Sequence, residues 1–326
     1  MNNPAGNKAE TVIVTGAAGF IGSNLVKRLN QLGITDILAV DNLSDGGKFF
    51  NLRDAVIADY MDVEEFRGRL EQKRILQPVK AVLHQGAWAD TMAEDGRRML
   101  DLNFSFSKLL LHYALDARVP FVYASSSAVY GATRDQTPVP ENERPLNVYG
   151  WSKLLFDQYV RRLSGPADST VVGLRYTNVY GPGERHKGRM ASMPYQLHRQ
   201  LTEHGVARLF KGTDGYGDGE QRRDFIFVED VASVNLFFMD RAPLRSVVNV
   251  GTGADRSFND VANILLRLHG AGRVEYFPFP DSLRGKYQNH TCAELAPLRN
   301  AGYQSTMTTL EDGLARSVSA WRMESD

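Results

Sequence analysis

One stretch of the sequence constrains the fold more than any other. At residues 11–16 the β-branched run TVIVTG leads through closely spaced glycines directly into an apolar helical pattern over residues 20–33. A second β-branched run, DILAVDN at residues 36–42, follows this pattern. A strand, a helix and a strand in this order predict a βαβ unit, in which the helix joins two parallel strands.

The alternation of short apolar runs and longer helical patterns continues through the first half of the chain. Apolar strands separated by helices are typical of a parallel sheet covered on both faces, so we expect a doubly wound α/β fold of the Rossmann type. After about residue 177 the alternation weakens and Gly, Pro and polar residues become frequent, which predicts a second, smaller α/β lobe. The further predicted strands are 55–59, 81–87, 121–126, 170–176 and 246–251.

Charge and composition exclude several classes of protein. Lys and Arg together number 38, as do Asp and Glu, so no long-range field attracts the chain to nucleic acid or an anionic membrane. No apolar run approaches the roughly 18 residues of a membrane helix, and residues 1–10 resemble neither a signal nor a transit peptide. Cys292 is the only cysteine, and the sequence has no Cys/His cluster at zinc spacing. We expect a cytoplasmic protein with no metal site, no nucleic-acid partner and no membrane partner.

The spacing of Gly16, Gly19 and Gly22 is typical of a dinucleotide site. Glycines permit a tight turn and a close backbone approach, and the N-terminus of the following helix offers free N–H groups to a pyrophosphate. A glycine triplet alone is a weak signal, because it also occurs in structural turns. Here it joins a strand to a helix, and Asp41 ends the next strand about 20 residues later. Further candidate cofactor residues are Phe20, Ile21, His84, Gln85, Gly86, Ala87 and Asn103.

The residues after the second predicted strand leave the choice of dinucleotide open. Asp41 favours the free 2′-hydroxyl of NAD and repels the 2′-phosphate of NADP. Asn42 can donate a hydrogen bond to a phosphate, and Lys48 follows six residues later. Lys48 is equally well explained as a solvated loop charge. These residues alone are compatible with both NAD and NADP.

Three polar residues predict the catalytic chemistry. Tyr149 and Lys153 are four residues apart, so on a helix they lie on one face. Ser126 ends a predicted strand, at the sheet edge where ligands bind in this fold. A Lys ammonium at about 4 Å stabilises a phenolate by up to roughly 4 kcal/mol at an effective dielectric of 20. We therefore expect Lys153, with a positive nicotinamide, to lower the pKa of Tyr149 and make it a base near neutral pH. The alternative is a pair of surface residues on an amphipathic helix.

The chain resembles the extended short-chain dehydrogenases that act on nucleotide sugars, and within them it is similar to the family of ADP-L-glycero-D-manno-heptose 6-epimerases. The resemblance covers residues 12 to about 321. The glycines, the Tyr and the Lys belong to the wider superfamily, whereas HKGRMAS at 186–192 and PFPDSLRGKYQ at 278–288 are narrower signals. Other matching segments are VTGAAGFIGSN, GITDILAVDNL, IADYMD, YASSSAVYG, PLNVYGWSK, RYTNVYGP, RRDFIFVEDVA and NVGTG.

The resemblance implies an epimerase that inverts C6 of the heptose in ADP-D-glycero-D-manno-heptose, a precursor of the lipopolysaccharide core. Tyr149 would take the C6 hydroxyl proton while hydride passes to the cofactor, and hydride would then return to the other face of the ketone. The second acid/base implied by the resemblance is Lys187, a role that a desolvated lysine can fill. The alternative for Lys187 is a surface or phosphate-binding role.

The resemblance also implies binding residues and an assembly. Asp41, Asn42 and Lys48 match the family's residues at these positions, which favours NADP and keeps NAD as the alternative. Lys153, Val179 and Lys187 join the cofactor candidates. A homo-oligomeric ring, in particular a pentamer, is implied. The candidate substrate residues are Ser126, Asn178, Arg189, Gln196, Phe210, Lys211, Gly212, Thr213, Arg223 and Tyr287.

Departures from the family pattern leave sugar and nucleotide selectivity open. Trp88, Arg189 and Gln196 stand where the family has other residues. Residues 212–221 are longer than the family's loop, and we expect them to form a flexible insertion rather than a calcium site, because the EF-hand spacing is absent.

Two other functions compete with the 6-epimerase. A 4-epimerase or 4,6-dehydratase could use the same scaffold, but dehydratases carry an Asp-Glu pair where Ser127 and Ala128 follow Ser126. A non-catalytic dinucleotide-binding regulator would be expected to have lost Tyr149 or Lys153.

The predicted lobes interleave along the chain. A dinucleotide-binding domain is expected at residues 10–176, with 225–254 and 289–302 returning to it. The substrate-binding lobe is expected to comprise residues 177–224, 255–288 and 303–326.

Overall fold

The computed structural model describes residues 10–74, 78–283, 285 and 287–324. The strands are β1 (Thr11–Thr15), β2 (Ile37–Asp41), β3 (Asp59–Asp62), β4 (Val79–His84), β5 (Phe121–Ser126), β6 (Val171–Tyr176), β7 (Asn178–Tyr180), β8 (Val206–Phe210), β9 (Arg222–Phe227), β10 (Arg245–Val250), β11 (Asp255–Ser257) and β12 (Arg273–Phe277). The α-helices are α1 (Phe20–Gln31), α2 (Val63–Glu71), α3 (Gly96–Leu100), α4 (Phe106–Ala117), α5 (Val148–Arg161), α6 (Met193–His204), α7 (Val228–Met239), α8 (Phe258–His269), α9 (Ala296–Asn300) and α10 (Leu310–Met323).

The larger sheet has seven described strands in the order β10-β6-β5-β4-β1-β2-β3. Every pairing in it is parallel. The strand order reverses direction between β1 and β4, and the crevice at the carboxyl ends of such neighbouring strands is where doubly wound sheets bind ligands.

Helices cover both faces of this sheet, which explains why its strands are continuously apolar. Val12 and Val14 point to one face and pack with apolar residues of α1 and α7. Ile13 points to the other face and packs with residues of α2, α4 and α5. Because neighbouring side chains alternate between two buried faces, the three middle positions of β1 are all apolar.

The smaller lobe contains two short sheets and three of the helices. The first sheet has the order β11-β9-β7, and the second pairs β12 with β8 in parallel. Apolar residues of α6, α8 and α10 form its core around Trp321. The predicted fold class, a doubly wound parallel sheet with a smaller second lobe, is confirmed.

The third strand differs from the prediction. The apolar run at 55–59 precedes the strand, and β3 itself reads DYMD. In the described sheet β3 pairs with β2 and forms the edge. Polar side chains on an edge strand remain in solvent, so an apolar run does not mark this strand in the sequence. None of the helices in the described residues is long and apolar enough to cross a membrane.

Candidate active site

The loop between β1 and α1 brings its backbone close to the neighbouring strand. Gly16 has φ +66°, and a Cβ there would lie 2.7 Å from the backbone nitrogen of Gly86. A Cβ on Gly22 would overlap the carbonyl oxygen of Gly16. Gly19 is the N-cap of α1 and has no side chain to occupy the free N–H groups of the first turn. The loop therefore leaves a helix N-terminus open to an anion.

The carboxylate of Asp41 supports this loop from the end of β2. Its Oδ2 accepts hydrogen bonds from the backbone nitrogens of Ala18 at 2.8 Å and Gly19 at 3.1 Å. Its Oδ1 accepts from Lys48 Nζ at 2.6 Å. Asp41 is therefore turned towards the protein and neutralised, whereas the sequence alone suggested a free carboxylate facing a ribose.

A cavity of about 470 Å³ extends from this loop and is termed the dinucleotide cavity. Several of the predicted cofactor residues meet there, although they come from separate segments of the chain. Those that line it are Gly16, Asp41, Asn42, Lys48, Gly86 and Ala87. Trp88 and Arg98 also line it, with the guanidinium 4.9 Å from the centre of the Trp88 ring. Trp88 thus lies on the cofactor side, a placement that its sequence position did not reveal.

Ser126, Tyr149 and Lys153 lie together at the carboxyl edge of the sheet, as predicted. Tyr149 and Lys153 are on the first turns of α5, and Asn147 caps this helix through its side chain. Tyr149 and Ser126 both line one cavity, where the Ser126 side chain acts to lower the pKa of Tyr149. Lys153 donates from Nζ to the carbonyl oxygen of Ala124 at 2.9 Å.

Burial dominates the electrostatics of this group. Burial raises the pKa of Tyr149, and only the hydrogen bond with Ser126 opposes the shift. Burial lowers the pKa of Lys153 to about 8, against the attraction of Asp157. Lys153 alone therefore does not convert Tyr149 into a base, because the lysine is directed to a backbone carbonyl and is itself desolvated.

Asp157 was not identified from the sequence, although it lies one helical turn beyond Lys153. It is fully buried and accepts hydrogen bonds from Tyr123 at 2.9 Å, Ser125 at 2.9 Å and Arg175 at 2.9 Å. This network fixes the end of β5 against α5. The i, i+4 spacing of Lys153 and Asp157 was the available signal.

A second cavity, of about 350 Å³, lies between the two lobes and is termed the catalytic cavity. It brings together residues that are far apart in the sequence. The predicted residues lining it are Phe20, Ile21, Ser126, Tyr149, Asn178, Val179, Lys187, Arg223 and Tyr287.

Lys187 reaches this cavity from residues 181–192, termed the Lys187 loop, which connect β7 to α6. Its Nζ lies 5.3 Å from the centre of the Phe20 ring. Burial lowers the pKa of Lys187, and the carboxylate of Glu184 opposes this shift. From α10, Trp321 Nε1 donates to the carbonyl oxygen of Gly181 at 3.0 Å and holds the start of the loop. A partly buried lysine with a lowered pKa is suited to proton transfer.

Aromatic rings surround Arg223, one of the predicted substrate residues. The Arg223 guanidinium lies 4.9 Å from the centre of the Tyr287 ring and 5.5 Å from that of Phe258. Phe210 belongs to the same cluster, 6.1 Å from the Tyr287 ring. These contacts orient the guanidinium without neutralising it, which leaves its charge for an anionic ligand.

Comparison with known proteins decides which family this arrangement belongs to. The model of the NAD dependent epimerase/dehydratase family matches residues 12–251, well over half of the chain. The chain belongs to the NAD dependent epimerase/dehydratase family. The prediction of an enzyme on this scaffold is therefore confirmed.

Individual relatives within the epimerase/dehydratase family show a narrower similarity. A relative from Alkalilimnicola ehrlichii, named ADP-L-glycero-D-manno-heptose-6-epimerase, is 50% identical over 309 residues, which cover 95% of this chain and 97% of that protein. The crystal structure of the Helicobacter pylori protein of the same name has a TM-score of 0.83 at 32% identity and covers 96% of each chain. A UDP-glucose 4-epimerase from Thermotoga maritima, solved with UDP-glucose, has a TM-score of 0.81 at 27% identity and covers 97% of this chain and all of that one. The predicted resemblance to the heptose 6-epimerases is confirmed.

Three predicted cofactor residues of this family member have other partners. Gln85 accepts a hydrogen bond from Tyr176 and donates to Asn235, so its side chain lines neither cavity. Asn103 joins the backbone of Trp88 to α5 through Ser152. Burial lowers the pKa of His84 to about 3, and its ring bridges Thr15 and Ser107. These three side chains lie behind the residues that line the cavities.

Several predicted substrate residues also lie outside the catalytic cavity. The exposed Arg189 pairs with Asp90 at 2.6 Å, and Gln196 donates to the backbone oxygens of Arg189 and Ala191. Phe210 faces its aromatic neighbours. Lys211, Gly212 and Thr213 follow β8 and are not among the lining residues.

The expected insertion at 212–221 forms hydrogen-bonded turns. Asp218 accepts from the Gly212 backbone at 2.8 Å, and Asp214 accepts from Asn289 at 2.7 Å. The carboxylates of Asp214 and Asp218 thus accept hydrogen bonds within the fold. In the described residues, no group of three or more His, Cys, Asp or Glu side chains could hold a metal ion.

Proposed function

We propose that this protein is a 6-epimerase that converts ADP-D-glycero-D-manno-heptose into ADP-L-glycero-D-manno-heptose by transient oxidation with a bound NADP. The observation that carries this proposal is the meeting of two partly buried side chains able to transfer protons in one cavity, Tyr149 from α5 and Lys187 from the Lys187 loop. The relatives named as 6-epimerases support the choice of substrate.

Each residue has one part in the proposed reaction. A nicotinamide dinucleotide, when bound, accepts the hydride from C6 and returns it. Tyr149 takes the proton from the C6 hydroxyl as the C6 carbonyl forms, and Ser126 donates a hydrogen bond to that oxygen. After the ketone has turned, Lys187 donates a proton to the oxygen as C6 receives the hydride on its other face. Tyr149 and Lys187 thus serve opposite proton transfers.

The environment of Tyr149 supports its role as a base only when the dinucleotide is bound. Burial keeps the phenol protonated, since its pKa is raised, until an additional positive charge stabilises the phenolate. Lys153, with a pKa of about 8, is mostly an ammonium at neutral pH and adds to that field.

The residues at the end of β2 support NADP over NAD. Asp41 is neutralised by Lys48 and bonded to the glycine loop, so it repels a phosphate less than a free carboxylate would. Asn42 and Lys48 line the dinucleotide cavity as donors. The dinucleotide released by denaturing the purified protein should be NADP by mass spectrometry, and the recovery of NAD alone would contradict this part of the proposal.

Product analysis tests the substrate and the reaction. The protein is incubated with ADP-D-glycero-D-manno-heptose, and NMR of the heptose should show inversion at C6. An unchanged heptose would overturn the proposal. UDP-glucose in a parallel incubation tests the alternative 4-epimerase, and loss of water from either sugar would indicate a dehydratase.

We also propose that the protein is a homo-oligomer in the cytoplasm. Light scattering of the purified protein should give the mass of a homo-oligomer, with a pentamer as the specific expectation, and a monomer would contradict it. A cytoplasmic location is expected in the source cell and is tested by fractionation.

A further inference from the structure

The Lys187 loop is closed by a buried carboxylate that has no part in the reaction described so far. Glu184 is fully buried within this loop. Its Oε1 accepts from the Gly181 backbone at 3.0 Å, and its Oε2 accepts from the Ser192 backbone at 2.6 Å. The Ser192 hydroxyl donates to Oε1 at 2.8 Å. One side chain therefore joins the first and last residues of the loop.

The lysine is attached directly to this closure. The Lys187 backbone nitrogen donates to the Glu184 carbonyl oxygen at 2.9 Å, which forms a turn between the two residues. Ser192 also caps α6 by accepting from the Tyr195 backbone. A shift of the Glu184 carboxylate would therefore move both the lysine and the start of the helix that follows.

Glu184 also acts on the charge of the lysine, because its carboxylate opposes the lowering of the Lys187 pKa by burial. The charged or titratable groups that line the cavity with Lys187 or act on it are Tyr149 from α5, Tyr176 from β6, Arg223 from β9, Tyr287, and His186 and Glu184 from its own loop. Among the described groups that line the cavity or act on Lys187, Glu184 is the one carboxylate. Burial raises the pKa of Glu184, and the charge of Lys187 and the hydrogen bonds from Ser192 and Gly181 oppose this rise and favour the carboxylate.

We propose that Glu184 is a positioning residue, which holds the Lys187 loop in its catalytic shape and stabilises the ammonium form of Lys187. The inference rests on the proposed acid/base role of Lys187. A proton donor that must be charged at the start of its step requires such a counter-charge, because burial alone favours the neutral amine. A carboxylate within the loop provides this charge without lying among the residues that line the cavity.

The test compares E184Q with D224N in protein purified with its bound dinucleotide. Asp224 is the matched control, since it is also fully buried and joins two loops by accepting from the backbones of Thr252, Gly253 and Ala293. The side-chain NMR resonance of Lys187, assigned with K187R, is titrated in each variant. We expect E184Q to move the Lys187 midpoint to lower pH and to reduce kcat at least tenfold. The midpoint should stay at the wild-type pH in D224N.

Two results would overturn the inference. One is an unmoved Lys187 midpoint in E184Q, which would reduce Glu184 to a packing role. The other comes from S192A, which removes the hydroxyl's hydrogen bonds to Glu184 and to the Tyr195 backbone and keeps the charge. S192A should lower kcat at least threefold without moving the Lys187 midpoint. If S192A instead keeps the wild-type kcat, Glu184 is not a positioning residue, and this conclusion holds even if E184Q does not fold. The titration needs no substrate, so a failure of the heptose assay would leave this test intact.

Discussion

The two cavities of this protein are built in opposite ways. The dinucleotide cavity relies on backbone, because Gly16 and Gly22 bring main-chain atoms within contact of one another and Asp41 bonds to the same loop. The catalytic cavity relies on side chains that converge from α5, the Lys187 loop and β9. The dinucleotide cavity requires positions that carry no side chain. The catalytic cavity requires particular functional groups.

This difference predicts how each cavity responds to substitution. Added atoms should damage the dinucleotide cavity, because no space remains around the loop. Deleted functional groups should damage the catalytic cavity and leave the fold and the bound cofactor intact. Four substitutions separate these effects.

The largest effect is expected from Y149F. It removes the phenol oxygen that takes the C6 proton, and loss of a general base costs roughly 10²- to 10⁴-fold in rate. Turnover of ADP-D-glycero-D-manno-heptose measures the loss, while the bound dinucleotide and the melting temperature should be retained. Release of the dinucleotide by this variant would mean that the two cavities are not separable.

Gly22→Ala should have the opposite profile. The new methyl group overlaps the Gly16 carbonyl oxygen, and overpacking of this kind costs roughly 1–3 kcal/mol. The variant should be purified with little dinucleotide and with a lower melting temperature. Gly68→Ala is the control, because a Cβ there meets nothing within 4 Å and the position lies inside α2. Equal dinucleotide content in the two variants would contradict the backbone account.

Lys48→Ala sharpens the comparison within the dinucleotide cavity. Lost charge-assisted hydrogen bonds cost about 1.5–3 kcal/mol, so the affinity for NADP should fall roughly tenfold or more, with a smaller change for NAD. Binding is measured by titration calorimetry after the bound cofactor has been removed. Lys80→Ala, at a surface ion pair with Asp240, provides the control. A parallel loss of both dinucleotides would speak against a phosphate contact.

The smallest effect is expected from Arg189→Ser. The side chain is 72% exposed, and exposed ion pairs such as that with Asp90 contribute about 0–1 kcal/mol. The apparent KM for the heptose substrate should therefore change by less than about fivefold. A much larger rise in KM would restore Arg189 to the substrate site predicted from the sequence.

The sequence predicted the dinucleotide cavity better than the catalytic one for a physical reason. A close backbone approach requires Gly at fixed spacing within one continuous segment, and such a pattern is visible without any tertiary contact. The strands of the larger sheet were predicted from their apolar runs, except for β3, whose edge position removes the apolar signal, whereas the short strands of the smaller lobe were not predicted. The pairing of Asp41 with Lys48 depends on side-chain direction, which spacing does not encode.

The catalytic cavity depended on residues whose partners are distant in sequence. Gln85 was expected at the cofactor, but Tyr176 and Asn235 occupy its amide. Glu184 was not identified from the sequence, because its contacts with Gly181 and Ser192 form only in the folded loop. Lys187 itself was predicted from the family resemblance, since neither periodicity nor spacing marks it.

The hydrogen bond from Trp321 to Gly181 affects the order in which the protein becomes functional during synthesis. These residues are 140 positions apart, so the ribosome completes the large sheet and the glycine loop well before it makes α10. Domains generally fold as units during synthesis. A nascent chain could therefore hold its dinucleotide while the Lys187 loop still lacks its last support, and competence for proton transfer would come only after α10 has docked.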